Sequence, residues 1–176
     1  MGARSVLQEA DISRALTRIA HEILESNRGP ENLVLLGIPT RGVALAERLG
    51  TLISGISQHP VDIGSLDVTM FRDDLSKHPT RSPRPTEIPA GGIDGKTVVL
   101  VDDVLFSGRS IRAALDAIQS IGRPAVVRLA ILIDRGHREV PIRPDFVGKN
   151  IPSSRQERVN VRLREYDGAE EVTIEA

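Results

Sequence analysis

The chain has 176 residues, 40% hydrophobic and 27% charged, with a net charge of -1 and no cysteine. That length suits one domain with a sizeable core. The charge balance excludes a chain that is basic overall and binds nucleic acid everywhere, and the absent thiols exclude disulfides, thiolate metal sites and cysteine nucleophiles. No apolar run reaches the roughly 18 residues of a membrane helix. The segment MGARSVLQEADISRA has no apolar stretch behind its early arginine, so a soluble cytoplasmic protein without a signal peptide is expected. The aromatic residues are Phe71, Phe106, Phe146 and Tyr166, too few for a platform that stacks successive bases.

In chain order, the spacing of Ile12, Leu16, Ile19 and Ile23 predicts an amphipathic helix over 10–27. NLVLLG at 32–37 predicts a short strand, followed by the turn Ile38-Pro39-Thr40-Arg41-Gly42 and a helical pattern over 43–49. Residues 61–68 are a second strand candidate. The stretch 70–92 carries Pro79, Pro83, Pro85 and Pro89 and has little periodicity. A segment of that length suits a lid, a binding loop or a simple insertion. TVVLV at 97–101 is β-branched and apolar on both faces, which predicts a central parallel strand. Ile111, Leu115 and Ile118 mark a helix that Gly122-Arg123-Pro124 stops, and AVVRLAILI at 125–133 predicts the next strand. Strand, helix and strand alternating over short connections predict a single α/β domain with a parallel sheet flanked by helices. Positive charge is local, with eight Lys/Arg against four Asp/Glu over 134–164, whereas 165–176 has five acids and no Lys or Arg.

Parallel sheets place ligands beyond the carboxyl ends of their strands, where the following helix offers free amides. The run VVLVDDVLFSGRS at 98–110 suits that location. Its strand delivers Asp102 and Asp103, Leu105 to Gly108 turn, and Arg109 and Ser110 open a helix. Backbone N–H groups with the Ser107 and Ser110 hydroxyls are a candidate phosphate cradle, and Gly108 permits close backbone approach. The carboxylates would repel a phosphate at contact, so they suit sugar hydroxyls or a divalent cation. A plainer alternative has the acids capping the helix and Gly108 only turning the chain. Neither GxGxxG after a strand nor GxxxxGK[ST] is present, which excludes dinucleotide and P-loop sites of those types.

The same run resembles the 5-phosphoribosyl-1-pyrophosphate (PRPP) motif of type I phosphoribosyltransferases. SRALTRIAHEI at 13–23, GIPTRG at 37–42, FRDDLSK at 71–77 and DRGHREVPIRPDFVGKNIPSS at 134–154 are similar to the PyrR family of pyrimidine-operon RNA-binding regulators that are also uracil phosphoribosyltransferases. The resemblance implies the type I phosphoribosyltransferase fold with a flexible loop at about 70–92 and a hood at about 134–154. It implies the reaction uracil plus PRPP to UMP plus diphosphate, through an oxocarbenium-like transition state. Mg²⁺ would be held mainly by PRPP, with Asp102, Asp103 and Asp134 as candidate ligands.

By motif, Asp102 and Asp103 would hold the ribose hydroxyls, and Val104, Leu105, Phe106, Ser107, Gly108, Arg109 and Ser110 would cradle the 5′-phosphate. Thr40, Arg41 and Gly42 would form the diphosphate loop, Arg41 neutralising the leaving group. Arg72 would reach diphosphate from the flexible loop, where Asp73 and Asp74 are more simply solvated acids, and Arg135 would assist at the ligand edge. Phe106, Ser107 and Ser110 stand where the family often has Tyr, Thr and Thr.

The resemblance also implies a concave basic face on a homodimer or higher oligomer, reading a hairpin of pyr operon mRNA under control of UMP or UTP. Its candidate residues are Arg14, Thr17, Arg18, His21, His137, Arg138, Arg143 and Lys149. Spacing alone leaves the first four as a solvated helix face. A uracil salvage enzyme without RNA binding is the alternative, its basic face serving dimer contact. A purine phosphoribosyltransferase would not explain the first helix or DRGHRE.

Overall fold

The computed structural model describes residues 2–73 and 85–176; of the predicted loop 70–92, residues 74–84, Asp74 among them, lie outside the described residues. The elements are β1 (Arg4–Gln8), α1 (Glu9–Asn27), β2 (Leu33–Gly37), α2 (Arg41–Ser57), β3 (Asp62–Ser65), a 3-10 turn (Thr69–Phe71), β4 (Thr97–Leu105), α3 (Arg109–Gln119), β5 (Val126–Asp134), β6 (Phe146–Asn150), β7 (Arg158–Arg162), α4 (Arg164–Asp167) and β8 (Glu171–Glu175).

Five parallel strands run in the order β3-β2-β4-β5-β6. Alternation along them serves both faces, as a sheet covered twice requires. Val34, Leu36, Val98, Leu100, Leu129 and Ile131 pack with Ile111, Ala114 and Ile118 of α3. Their neighbours Leu33, Leu35, Val99, Val101, Ala130 and Leu132 pack with Ile12, Leu16, Ile19 and Ile23 of α1 and with Leu45, Leu49 and Ile53 of α2. The α/β fold expected from the sequence is thus present.

Strand order decides where a ligand can sit. From β2 the chain moves outward to β3, and from β4 it moves the other way to β5 and β6. The order therefore reverses between β2 and β4, and such switch points open a crevice at the carboxyl ends of the strands. Residues 38–42, after β2, and 102–110, at the end of β4, face that crevice.

Some boundaries differ from expectation. β4 continues to Leu105, so both aspartates lie within the strand rather than after it. α2 begins at Arg41 and runs to Ser57, and β3 is only four residues long. Part of the predicted hood, 146–150, is β6, the edge strand of the main sheet. A separate three-stranded antiparallel sheet, β1-β8-β7, was not predicted. Its strands have five residues each, and β1 pairs with β8 across almost the whole chain. Leu7, Val161, Leu163, Val172 and Ile174 join it to the α1/α2 side of the core. Among the described residues no helix is long and apolar enough to cross a membrane.

Candidate active site

At the end of β4 the two acids bond the local backbone. The Asp103 N–H donates to Asp102 Oδ1 at 2.9 Å and the Val104 N–H to Asp103 Oδ1 at 2.8 Å. Asp103 drops out of the otherwise continuous β4/β5 register. Burial in the crevice floor pushes the Asp102 carboxyl well above the usual carboxylate range, and the adjacent Asp103 charge adds to the shift. A polyol or cation placed there would relieve the repulsion.

Beyond Leu105 the chain turns through Gly108, whose φ of 91° is open to glycine at little cost. A Cβ here would also lie 2.8 Å from Val140 Cγ2. No described group accepts the N–H of Phe106, Ser107 or Gly108. Ser107 Oγ accepts the Arg109 N–H at 3.3 Å. Unpaired amides beside two hydroxyls at the start of α3 are suited to an oxyanion.

Two arginines enter the crevice from other segments. Arg41 begins α2 just after the cis Pro39–Thr40 peptide. Gly42 packs so closely on β4 that a Cβ would collide with the Val101 carbonyl oxygen. Arg72 Nη1 donates to Ser110 Oγ, and its charge acts on Asp102. Asp73 pairs with Arg109 and Arg112 of α3. The chain entering the predicted flexible loop is thereby docked on the cradle. Arg41, Arg72, Asp102, Asp103 and the 104–110 turn thus lie around one crevice, with Thr40 preceding Arg41 at its rim.

The 134–157 segment supports this turn more than it lines it. Arg135 is buried, with its Nε donating to Ser153 Oγ at 3.1 Å and its Nη2 to the Ser154 and Glu157 carbonyls at 2.7 Å. Its guanidinium lies 4.2 Å over the Phe106 ring, which His137 meets edge-on. Phe106, without the family's hydroxyl, is thus a stacking surface for Arg135. Arg138 pairs with both oxygens of Asp134, at 3.0 and 2.6 Å, and donates to the Phe106 and Ile142 carbonyls. Burial would raise the Asp134 carboxyl, but Arg138 and the Gly136 N–H outweigh it and hold it below its ordinary value.

These contacts bear on the metal. Asp134 is engaged by Arg138 and Asp102 and Asp103 stand together, while no cluster of three or more His, Cys, Asp or Glu suited to a metal occurs among the described residues. Two hard oxygen donors fit a cation such as Mg²⁺ that takes its remaining ligands from a phosphorylated substrate.

The phosphoribosyl transferase domain model matches residues 2–164. A curated bifunctional protein PyrR from Leifsonia xyli subsp. xyli is 66% identical, over 99% of this chain and 98% of the relative. The chain belongs to the PyrR family. A second PyrR, from Streptomyces coelicolor, is 60% identical over 99% of this chain and 90% of its own. Among solved structures, a hypoxanthine-guanine phosphoribosyltransferase from Bacillus anthracis superposes with a TM-score of 0.74, covering 98% of each chain at 16% identity. That likeness concerns the fold.

On this PyrR-family fold the predicted basic residues fall into groups. Arg14, Arg18 and His21 are exposed on α1, with Thr17 half-buried between them. α1 lies against β6, and Arg18 Nη2 donates to the Val147 and Gly148 carbonyls at 3.1 and 2.7 Å. Lys149 of β6 is exposed, and its charge and that of Arg14 both act on Asp11. These five residues form one basic edge. His137 and Arg138 instead belong to the Phe106 cluster, His137 bonding the Ser153 carbonyl. Arg143 is exposed on the segment after Ile142, which packs on the α3 side of the sheet.

Sequence motifs missed the partners of α2. Arg41 is held by Asp167, and Arg48, seven residues on and so on the same face, by Glu165 and Glu170. The acid-rich stretch 165–176 was the available signal.

Proposed function

We propose that this chain transfers the phosphoribosyl group of PRPP to uracil, giving UMP and diphosphate, and that it binds pyr operon mRNA in response to uridine nucleotides. The observation that carries it is the convergence, at the β2/β4 switch point, of Asp102 and Asp103 with the 106–110 cradle and two arginines, in a chain this close to curated PyrR proteins.

In the reaction the ribosyl C1–oxygen bond to diphosphate breaks, its electron pair leaving with the diphosphate. Uracil N1 supplies the new bond to C1 and loses its proton. Asp102 and Asp103 hold the ribose hydroxyls and stabilise positive charge developing on the ring. The 106–108 amides and Ser110 anchor the 5′-phosphate. Arg41 and Arg72 face the departing oxyanion, where fixed positive charge counts most. Docking of Arg72 and Asp73 on α3 excludes water that would otherwise capture the ribosyl cation. Mg²⁺, when bound, supplies further neutralising charge to the leaving diphosphate.

The α1/β6 edge is the surface we assign to RNA, with Arg14, Arg18, His21 and Lys149 meeting phosphates and a second copy of the chain extending the face. Its substrates and RNA place this activity in the cytoplasm.

Purified protein with Mg²⁺ is expected to convert uracil and PRPP to UMP, and Asp102→Asn with Asp103→Asn to lower the rate by ~10³-fold or more. Unchanged turnover in that double variant excludes the enzyme assignment. In a gel shift, a pyr leader transcript is expected to be retarded more strongly with UMP. Arg14→Ala with Lys149→Ala should weaken retardation and reduce its salt dependence, each lost phosphate contact lowering the slope by about one. Equally poor binding by both proteins leaves a salvage enzyme only, and equally tight binding moves the RNA off this edge.

A further inference from the structure

Arg41 is the diphosphate-loop residue, yet its side chain is anchored from the far end of the chain. Asp167 accepts from Arg41 Nη2 at 2.6 Å and from Nε at 3.1 Å. Both partners are largely buried, with 28% and 18% of their side chains exposed. This pairing uses one edge of the guanidinium fork, and Nη1 has no hydrogen-bond partner among the described residues. A guanidinium carries five N–H donors in a rigid plane, so a carboxylate on one edge leaves the other edge able to take an oxyanion.

Asp167 is itself held still. Its Oδ2 also accepts the Leu163 N–H at 2.8 Å, and its own N–H donates to the Leu163 carbonyl at 2.8 Å. The surrounding turn is fixed to α2 by Arg48 with Glu165 and Glu170, and to the start of α1 by Arg164 with Glu9 at 2.6 Å. A carboxylate in such a frame can aim an arginine. One free to move could only neutralise it.

We infer that Asp167 is a positioning residue for phosphoribosyl transfer: it grips the Nε/Nη2 edge of Arg41 and presents the Nη1 side to the diphosphate. Two effects oppose each other here. Asp167 reduces the net charge that diphosphate meets, but it also removes in advance the rotamer freedom that a free arginine loses on binding. Diphosphate carries several negative charges against one on Asp167, and the fork accommodates both, so orientation dominates. Arg41 also feels the Asp103 charge across the crevice, and the next residue, Gly42, packs directly on Val101 and Asp102 of β4.

The inference rests on the proposed reaction, so its test includes a binding arm that does not need turnover. Calorimetry with Mg²⁺ and inorganic diphosphate compares wild type with Asp167→Asn, and UMP is titrated as the control. We expect ~10-fold weaker diphosphate binding and a matching rise in KM for PRPP, with UMP affinity within about 2-fold. Asp167→Glu should recover part of the loss. In an Arg41→Ala background, Asp167→Asn should add nothing, because it acts through Arg41. Diphosphate affinity that is unchanged or tighter in Asp167→Asn overturns the inference. So does an equal loss for UMP, or additivity with Arg41→Ala. If wild type forms no UMP while the diphosphate comparison behaves as expected, the reaction assignment fails and the role of Asp167 stands.

Discussion

The two sides of the crevice are built differently. The cradle side is continuous: β4, its two aspartates, the 106–108 turn and the first turn of α3 occupy 97–110. The arginine side is assembled from distant pieces, with Arg41 held by Asp167, 126 residues away. The groups we assign to phosphate and ribose are kept in register by one strand and one turn. The cation we assign to the leaving group is instead held from α4, the turn that joins β7 and β8 of the second sheet.

Among single substitutions, the largest expected effect lies where the two sides meet. Arg72→Ala removes the bond to Ser110 and a cation near Asp102; kcat/KM for PRPP should fall ~10²-fold, measured by steady-state assay, with little change in melting temperature. A fall in stability with normal kinetics would show that Arg72 only fastens the loop. Next comes Gly42→Ala, which drives a methyl into the Val101 carbonyl. It should cost about 1–3 kcal/mol in denaturant unfolding and lower activity by shifting β2/α2 against β4.

The smallest effect separates the sides by the sign of their pH response. The Asp102 carboxyl is raised in the fold by burial and by Asp103, so its contribution is most favourable below the unfolded carboxylate pKa and declines as pH rises through the folded value. Asp102→Asn should therefore melt a few degrees above wild type at pH 7, and the gain should vanish near pH 4. The Asp167 carboxyl is lowered, chiefly by its bond to Arg41. Its contribution is present above the unfolded value and is lost as pH falls through the lowered one. Asp167→Asn should melt below wild type at pH 7, the gap closing in acid. Thermal scans across pH check both, and gaps of the same sign would erase the distinction.

The sequence was informative where contacts are local. Val98 to Ser110 could be read as strand, acids and phosphate turn because its chemistry is carried by neighbours, and the apolar alternation of α1 was legible for the same reason. Asp167 could not be assigned that way, since nothing near Glu165-Tyr166-Asp167-Gly168 names its partner. The hood expectation at 134–154 was blurred by β6, a short strand completing the main sheet at its edge. In sequence Arg135 was assigned to the ligand edge and Arg138 to the RNA-binding face. Burial and the acceptors around them, Asp134 and the carbonyls of Phe106, Ile142, Ser154 and Glu157, turn them inward instead.

The pairing of β1 with β8 also sets a timetable. At the ribosome, which adds roughly 5–20 residues per second, everything through α3 can emerge and pack while Arg4 to Gln8 still lacks the strand it will pair with. The strand and helix on either side of the phosphate turn can thus form on the nascent chain before the 134–157 segment arrives to support the turn. The carboxylate that steadies Arg41 arrives on the order of several seconds later, with the stretch that closes the second sheet.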